Sequence, residues 1–377
     1  MLKSRRFWCY EVCNDYNISD EIFTTYKLKG RFSDDVTYFY ETLIGTGTHP
    51  SLKMRPGTEE SPMLSFNNVL VDINTIKIIF FLFPTSKITT LKFSQNNFNI
   101  KTLECLVNYL LTKPNNIYNL TYEWNDKISI EGQLYSYKDI LTGELNEKEN
   151  SKEFLILKKS QEILTNLITN VPNKIEALCL RGDLIGDETA IKIFNGLKNE
   201  LNYLRILNLF KNELTDNSIK ILGEAMLVNR HLEEINLGNN HLTDLSINIL
   251  KTNYGKFEMN DQDLEEYKKA EKERQDIIKQ NTKLKASKKP EMEVPFLDEM
   301  RNVDGVNYRI KNDVLKLFSL SQNNFTEKSF EDLTGILDGL SDSMVTIDYK
   351  TFTQEQRDIL SDKNNPKNYS NRIYLLK

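Results

Sequence analysis

LRILNLFKNEL at residues 204–214 and LEEINLGNNHL at residues 232–242 decide the fold. Both follow L-x-x-L-x-L-x-x-N-x-L. The first supplies Leu204, Leu207, Leu209, Asn212 and Leu214; the second supplies Leu232, Ile235, Leu237, Asn240 and Leu242. Counted from Leu204 to Leu232, the offset is 28 residues. Alternating apolar residues turn one side of a short strand inward. The asparagine amide, donor and acceptor at once, satisfies backbone groups where the strand bends away. A unit this small cannot bury its apolar side alone, so two copies imply a stacked array.

Period and pattern mark a leucine-rich repeat, one strand and one helix per turn. Other copies lie in the same phase. Ile88, Leu91, Phe93, Asn96 and Phe98 match fully, as do Leu315, Phe318, Leu320, Asn323 and Phe325. Ile175, Leu178, Leu180 and Ile185 match with Asp183 in the asparagine place. Ile117, Leu120, Tyr122 and Asn125 match except for Lys127 in the last apolar place. Met344, Ile347 and Tyr349 start a further copy that puts Phe352 where asparagine is due, and Met63, Asn68 and Leu70 form a degenerate first one. The expected fold is an α/β leucine-rich repeat horseshoe. Parallel strands line the concave face, helices the convex face, and about six to eight turns are interrupted by two insertions.

Residues 1–58 lack the repeat and are aromatic, which suits a cap over the exposed end of the solenoid or a docking arm. Repeats occupy 59–130, 154–251 and 313–360. Helical spacing places Leu103, Leu106, Val107, Leu110 and Leu111 on one face of a helix over 99–113, ended by Pro114. Residues 131–153 are polar and out of phase, an insertion with room for one decayed turn. Residues 252–312 carry EEYKKAEKERQDIIKQNTKLK at 265–285, which predicts a solvated charged helix, then SKKPEMEVP as an extended linker. Residues 361–377 are expected to be a polar tail.

With 49 basic and 54 acidic residues the net charge is −5, which argues against a general nucleic-acid binder. The basic N-terminus has no apolar stretch behind it to act as a secretory signal. The most apolar run, Ile76 to Phe83, is too short to span a bilayer and contains Lys77. Cys9, Cys13, Cys105 and Cys179 are scattered, so free thiols in a reducing, cytoplasmic setting are expected. His49, His231 and His241 form no metal or catalytic motif, and no nucleotide-binding or hydrolase signature is present. The expectation is a non-enzyme with no cofactor, no metal and no small-molecule substrate.

Chemistry is instead expected on the concave face. The position after the third apolar residue reads Ser94, Glu123, Arg181, Phe210, Gly238, Ser321 and Lys350, and the one before it Lys92, Thr121, Cys179, Asn208, Asn236, Ser319 and Asp348. Against this mostly small, polar background Trp124, Arg181, Ile206, Phe210 and Lys211 stand out as candidate partner-binding residues, since exposed Trp, Phe and Arg anchor interfaces. An inserted loop folded over them would make them internal packing instead.

The 28-to-29-residue period resembles the ribonuclease-inhibitor-like repeat class, which includes the activator of the Ran GTPase. LVNRHLEEINLGNNHLTD at 227–244, the charged insertion, VPFLDEM at 294–300 and VLKLFSLSQNNFTE at 314–327 together resemble the leucine-rich repeat-containing protein seventy-one family. That resemblance implies a non-catalytic scaffold of the ciliary or flagellar axoneme, in a radial-spoke, central-apparatus or doublet-associated complex. Its partners would be other proteins of that complex, with no membrane or nucleic acid involved. A GTPase-activating regulator of the Ran-activator type is the alternative.

Overall fold

The computed structural model describes residues 51–376 except 55–61, 69–70, 83–87, 97, 126, 131–132, 137–151, 171–173, 200, 254–255, 288–289, 291, 293, 296, 304, 311, 313, 340–343 and 364–368. Most of the 1–58 cap, with its aromatic residues, Cys9 and Cys13, therefore lies outside the described residues. Strand β1 (Ser51–Met54) is followed by β2 (Pro62–Asn67), α1 (Ile73–Leu82), β3 (Thr90–Ser94), α2 (Ile100–Thr112) and β4 (Asn119–Glu123). A hairpin, β5 (Lys127–Ile130) and β6 (Gln133–Ser136), leads to α3 (Lys152–Thr169) and β7 (Ala177–Cys179). Then come α4 (Asp187–Leu197), β8 (Ile206–Asn208), α5 (Asp216–Val228), β9 (Glu234–Asn236) and α6 (Asp244–Lys251). The second insertion holds β10 (Lys256–Glu258), α7 (Asp261–Ala286), β11 (Glu299–Val303) and β12 (Val306–Ile310). The array closes with β13 (Leu317–Ser319), α8 (Phe330–Gly339), β14 (Met344–Asp348), α9 (Gln354–Ser361) and β15 (Ile373–Leu376).

One open sheet runs β1-β2-β3-β4-β7-β8-β9-β13-β14-β15, parallel throughout except for β1, which lies antiparallel on β2. Nine parallel strands thus alternate with helices in the expected leucine-rich repeat manner. Leu178, Leu207, Ile235 and Phe318 fall on one register row and are all at most 1% exposed. Successive helices pack side by side behind the sheet. In the first turns the third apolar place is aromatic, and Phe66, Phe93, Phe98 and Tyr122 form a continuous ring series with centroids 5.1, 5.2 and 5.3 Å apart.

Three hydrogen-bond ladders stitch the turns. On the exit side each asparagine side chain reaches back to the turn before it, and the backbone N–H of Asn96, Asn125, Asn212 and Asn240 donates to the asparagine or aspartate of the turn after. Asn212 Nδ2 donates to Leu180 O at 2.8 Å, while Asn240 Oδ1 accepts from Asn212 N at 3.2 Å and Leu214 N at 3.1 Å. Asn96, Asn125 and Asn323 repeat the pattern. Asp183 accepts from Asn125 N at 2.9 Å, but a carboxylate has no amide hydrogens to donate onward. On the entry side a second asparagine series, Asn115, Asn202, Asn229 and Asn312, turns the chain from helix to strand. Asn229 Nδ2 donates to Leu197 O at 2.8 Å and its Oδ1 accepts from Leu232 N at 2.8 Å. Asn202 and Asn312 do the same at their turns. A third series joins helix starts. Thr215, Thr243 and Thr326 cap their helices, and each donates to the aspartate one turn earlier: Asp187, Asp216 and Asp244.

The residue just before each exit asparagine is left-handed. Gln95, Trp124, Lys211, Asn239 and Gln322 have φ between 55° and 58°, and Gly182 has φ 70°. The strain, about 1 kcal/mol for a non-glycine residue, is offset because each N–H donates across the turn: Trp124 N to Arg181 O at 2.8 Å, Lys211 N to Gly238 O at 2.9 Å. In the last such turn the carboxylate of Asp348 replaces the carbonyl, accepting from Gln322 N at 2.6 Å.

Several expectations need correction. The first copy is Leu64 and Phe66, in register with Leu91 and Phe93, one residue off the expected Met63 phase. The last is Val345 and Ile347, because Phe318 pairs with Val345; the step there is 27 residues, as it is from Leu64 to Leu91 at the other end. Thr346 and Asp348 therefore take the concave places expected for Asp348 and Lys350, and Phe352 is a core residue against Phe330. β4 pairs directly with β7, so no strand of the main sheet lies between them, and most of 131–153 lies outside the described residues. Lys127 fails the apolar pattern because it begins the hairpin that leaves the solenoid. The tail expected over 361–377 ends in β15, which extends the ladder with Ile373 buried behind it.

The second insertion is more than a lone helix and a linker. β9 pairs directly with β13, so 252–312 leave and rejoin the array between adjacent strands. α7 starts with a capping box, Asn260 with Asp263, and β10-β12-β11 form an antiparallel sheet. The segment after the helix runs back along it, tied by Asn281 and Met292, whose amide groups exchange two hydrogen bonds of 2.7 Å, and by Tyr267 Oη, which donates to Asp298 O at 2.7 Å.

Candidate functional site

Where parallel strands end and the left-handed residues begin, four of the five candidate residues come together. The Arg181 guanidinium lies 4.6 Å from the Phe210 ring centroid and 5.0 Å from that of Trp124, and Lys211 Nζ lies 4.9 Å from the Trp124 centroid. The result is a stack drawn from three successive turns, with Arg181 between two aromatic faces. Cation–π contacts of this kind contribute about 0.5–2 kcal/mol each.

Local chain geometry puts the rings there. Trp124 and Lys211 are both left-handed residues; the Trp124 ring lies over Gly182 of the next turn, and Lys211 reaches back to that ring. Asn208 Oδ1 accepts from Phe210 N at 2.9 Å and braces the bend that presents the ring. Both rings lie over glycines. A Cβ on Gly182 would sit 2.3 Å from Trp124 Cε3, and one on Gly238 would sit 3.0 Å from Phe210 Cδ2. Gly182 is thus required twice, for its positive φ and for the space Trp124 occupies.

Trp124, Arg181 and Phe210 are half-buried and Lys211 is exposed. Arg181 Nε is buried with no hydrogen-bond acceptor, and neither Arg181 nor Lys211 makes an ion pair among the described residues. The surrounding cations differ. Lys92 is paired with Glu123, Arg205 bridges Glu176 and Glu233, and Lys316 reaches Glu233 at 2.7 Å. Hydrogen bonds from Arg205 and Lys316 hold the Glu233 carboxyl down to about 2. Beside the stack, burial pushes the Cys179 thiol up to about 12, with Glu123 and Asp183 adding to the effect, so it is no nucleophile at neutral pH.

Ile206 does not join the stack. It stands at the strand entry, 38% exposed, four residues before Phe210. On that same side Tyr118 and Tyr203 are also exposed, and a shallow groove of about 610 Å³ runs between Leu111, Pro114, Tyr118, Lys174 and Tyr203. His231 packs edge-on against Tyr203 and His241 Nε2 meets Glu213 Oε2 at 2.7 Å, ordinary surface roles for both.

Residue spacing alone missed two things. It did not show that Lys211 meets the Trp124 ring, because what the two residues have in common is a backbone φ and not a residue type. It also missed the entry asparagines, although an Asn two or three residues before the first leucine was a visible signal. Among the described residues no group of three or more His, Cys, Asp or Glu side chains could hold a metal ion. Among them, too, no helix is long and apolar enough to cross a membrane. No family model matches this sequence, and no curated protein aligns with it significantly.

Proposed function

We propose that the protein is a non-enzymatic scaffold whose repeat face holds other proteins in a large assembly. The observation that carries this reading is the Trp124–Arg181–Phe210–Lys211 stack: an aromatic and cationic patch, half-open to solvent, whose cations have no ion-pair partner among the described residues. Trp, Phe and Arg in a fixed arrangement are the residues on which interfaces concentrate their binding energy. An assembly of the axonemal kind follows only from the sequence resemblance, and the supporting features are the uninterrupted ladder and an insertion placed between two directly paired strands.

The test compares the full chain with the double variant Arg181→Glu, Phe210→Ala by cross-linking mass spectrometry in the native organism. Neighbours cross-linked to the concave face of the native chain and lost from the variant support the reading. An unchanged set of neighbours overturns it. Retention of the protein on detergent-extracted axonemes separates the axonemal placement from a soluble regulator, which would instead accelerate GTP hydrolysis by one member of a panel of small GTPases.

A further inference from the structure

Among the described residues of this face, Arg181 is a cation whose setting asks for a ligand. Its two flat sides are covered by Phe210 and Trp124, at 4.6 and 5.0 Å. Only the in-plane N–H groups remain; Nε is buried without an acceptor, and the two terminal nitrogens, which take no acceptor among the described residues, are left for recognition. A guanidinium held this way has lost much of its hydration and nearly all of its rotational freedom, which favours a planar, two-pronged acceptor. Lys211 adds a second charge across the same indole. The carboxylate one row away, Glu123, is already taken by Lys92. Next along the row come Gly238 and Ser321, small and buried, which leave a flat path beside Phe210 for an extended chain.

We propose that the stack is the seat of an acidic, extended peptide segment of a partner protein, whose carboxylates pair with Arg181 and Lys211 while its backbone lies along the Gly238–Ser321 path. The proposal rests on the scaffold reading above and names the chemistry of the partner. Nucleic acid fits poorly, since the chain carries a net charge of −5 and the patch offers two cations where a phosphate backbone engages many. Positive charge is local here, so it selects acidic segments and not anionic surfaces at large.

Fluorescence anisotropy with a labelled octaglutamate peptide tests this on the full chain, with octaglutamine and a serine-phosphorylated octapeptide for comparison. Octaglutamate is expected to bind and octaglutamine not to, with affinity falling as salt is raised. Arg181→Gln should weaken binding about tenfold or more and Arg181→Lys less, because lysine cannot make the bidentate contact. Lys211 is exposed, so Lys211→Gln removes the charge over the Trp124 ring without opening a buried site and should weaken binding several-fold. Lys220→Gln removes an equal charge from the exposed side of α5 and should change nothing. Equal binding of octaglutamine, preference for the phosphopeptide, or unchanged affinity in both Arg181→Gln and Lys211→Gln would overturn the proposal. If octaglutamate fails to bind while partners still cross-link to the concave face, the acidic seat alone is wrong. Octaglutamate binding with no protein cross-linked there overturns the scaffold reading and leaves the acidic seat standing.

Discussion

Asn240→Ala should be among the most damaging single substitutions in the array, and the structure says by how much. Asn240 is 5% exposed, and its Oδ1 is the acceptor for Asn212 N at 3.2 Å and Leu214 N at 3.1 Å. Its Nδ2 donates to Leu209 O at 3.1 Å and Leu237 O at 2.9 Å. These two carbonyls keep a second donor each, Asn212 Nδ2 at 3.0 Å and Asn323 Nδ2 at 3.0 Å. The damage therefore falls on the two amides, each of which is left buried without an acceptor. At about 1–3 kcal/mol for each stranded group, the loss should be about 3 kcal/mol. Asn240→Asp keeps the acceptor and loses only donors whose carbonyls are otherwise served, as Asp183 does natively two turns earlier in the series. It should cost about 1 kcal/mol. Urea unfolding gives the two energies, and amide hydrogen exchange localises them, with Asn212 and Leu214 losing protection first. A loss below about 1 kcal/mol for Asn240→Ala, or equal losses for the two variants, would refute the division between stranded amides and shared carbonyls.

Two further outcomes follow from the ladder and its insertions. Replacing 256–310 by a short Gly-Ser joint should leave the solenoid folded, because β9 and β13 already pair. A melting midpoint within about 4 °C of the native chain agrees with this, whereas loss of the cooperative transition does not. Glu233 should titrate near 2, well below the usual carboxylate value of 4.5, because Arg205 and Lys316 hydrogen-bond to its charged form. Its folded pKa is depressed, so its contribution to stability is present above pH 4.5 and is lost as pH falls toward 2. For a pair this close to solvent the effect is small, below about 1 kcal/mol. Two-dimensional NMR of the side-chain carboxyls reads the midpoint directly, and Arg205→Gln should raise it.

The repeat was legible because leucines 207 and 209 and asparagine 212 are dictated by two independent needs, an inward strand face and a backbone to satisfy, and both recur at fixed spacing. Register was lost at the two ends. Leu64–Phe66 and Val345–Ile347 obey the alternation, but they follow 27-residue steps and lack the asparagine, so counting by 28 or 29 slid past them. The tail escaped notice because Ile373 and Leu375 supply only two inward residues after a polar stretch. In the site, Arg181 and Phe210 could be chosen by residue type. Their meeting with Trp124 could not, since it depends on Gly182 giving way beneath the indole. The fold of 252–312 was hidden by composition. A helix with few apolar residues reads as solvated, while the contacts that pin its return segment include one hydrogen bond from Tyr267 and a reciprocal pair at Asn281.

Arg181 belongs to one coil, Trp124 to the coil before it and Phe210 to the coil after. Whatever grips the guanidinium is therefore fastened to three modules at once. A pull on that ligand loads the array in shear across several amide rungs together, where a grip on a single module would peel it from its neighbour one rung at a time. Stacked rods yield easily to peeling and poorly to shear, so the placement of one arginine between two rings makes the middle of the array the part suited to bear tension.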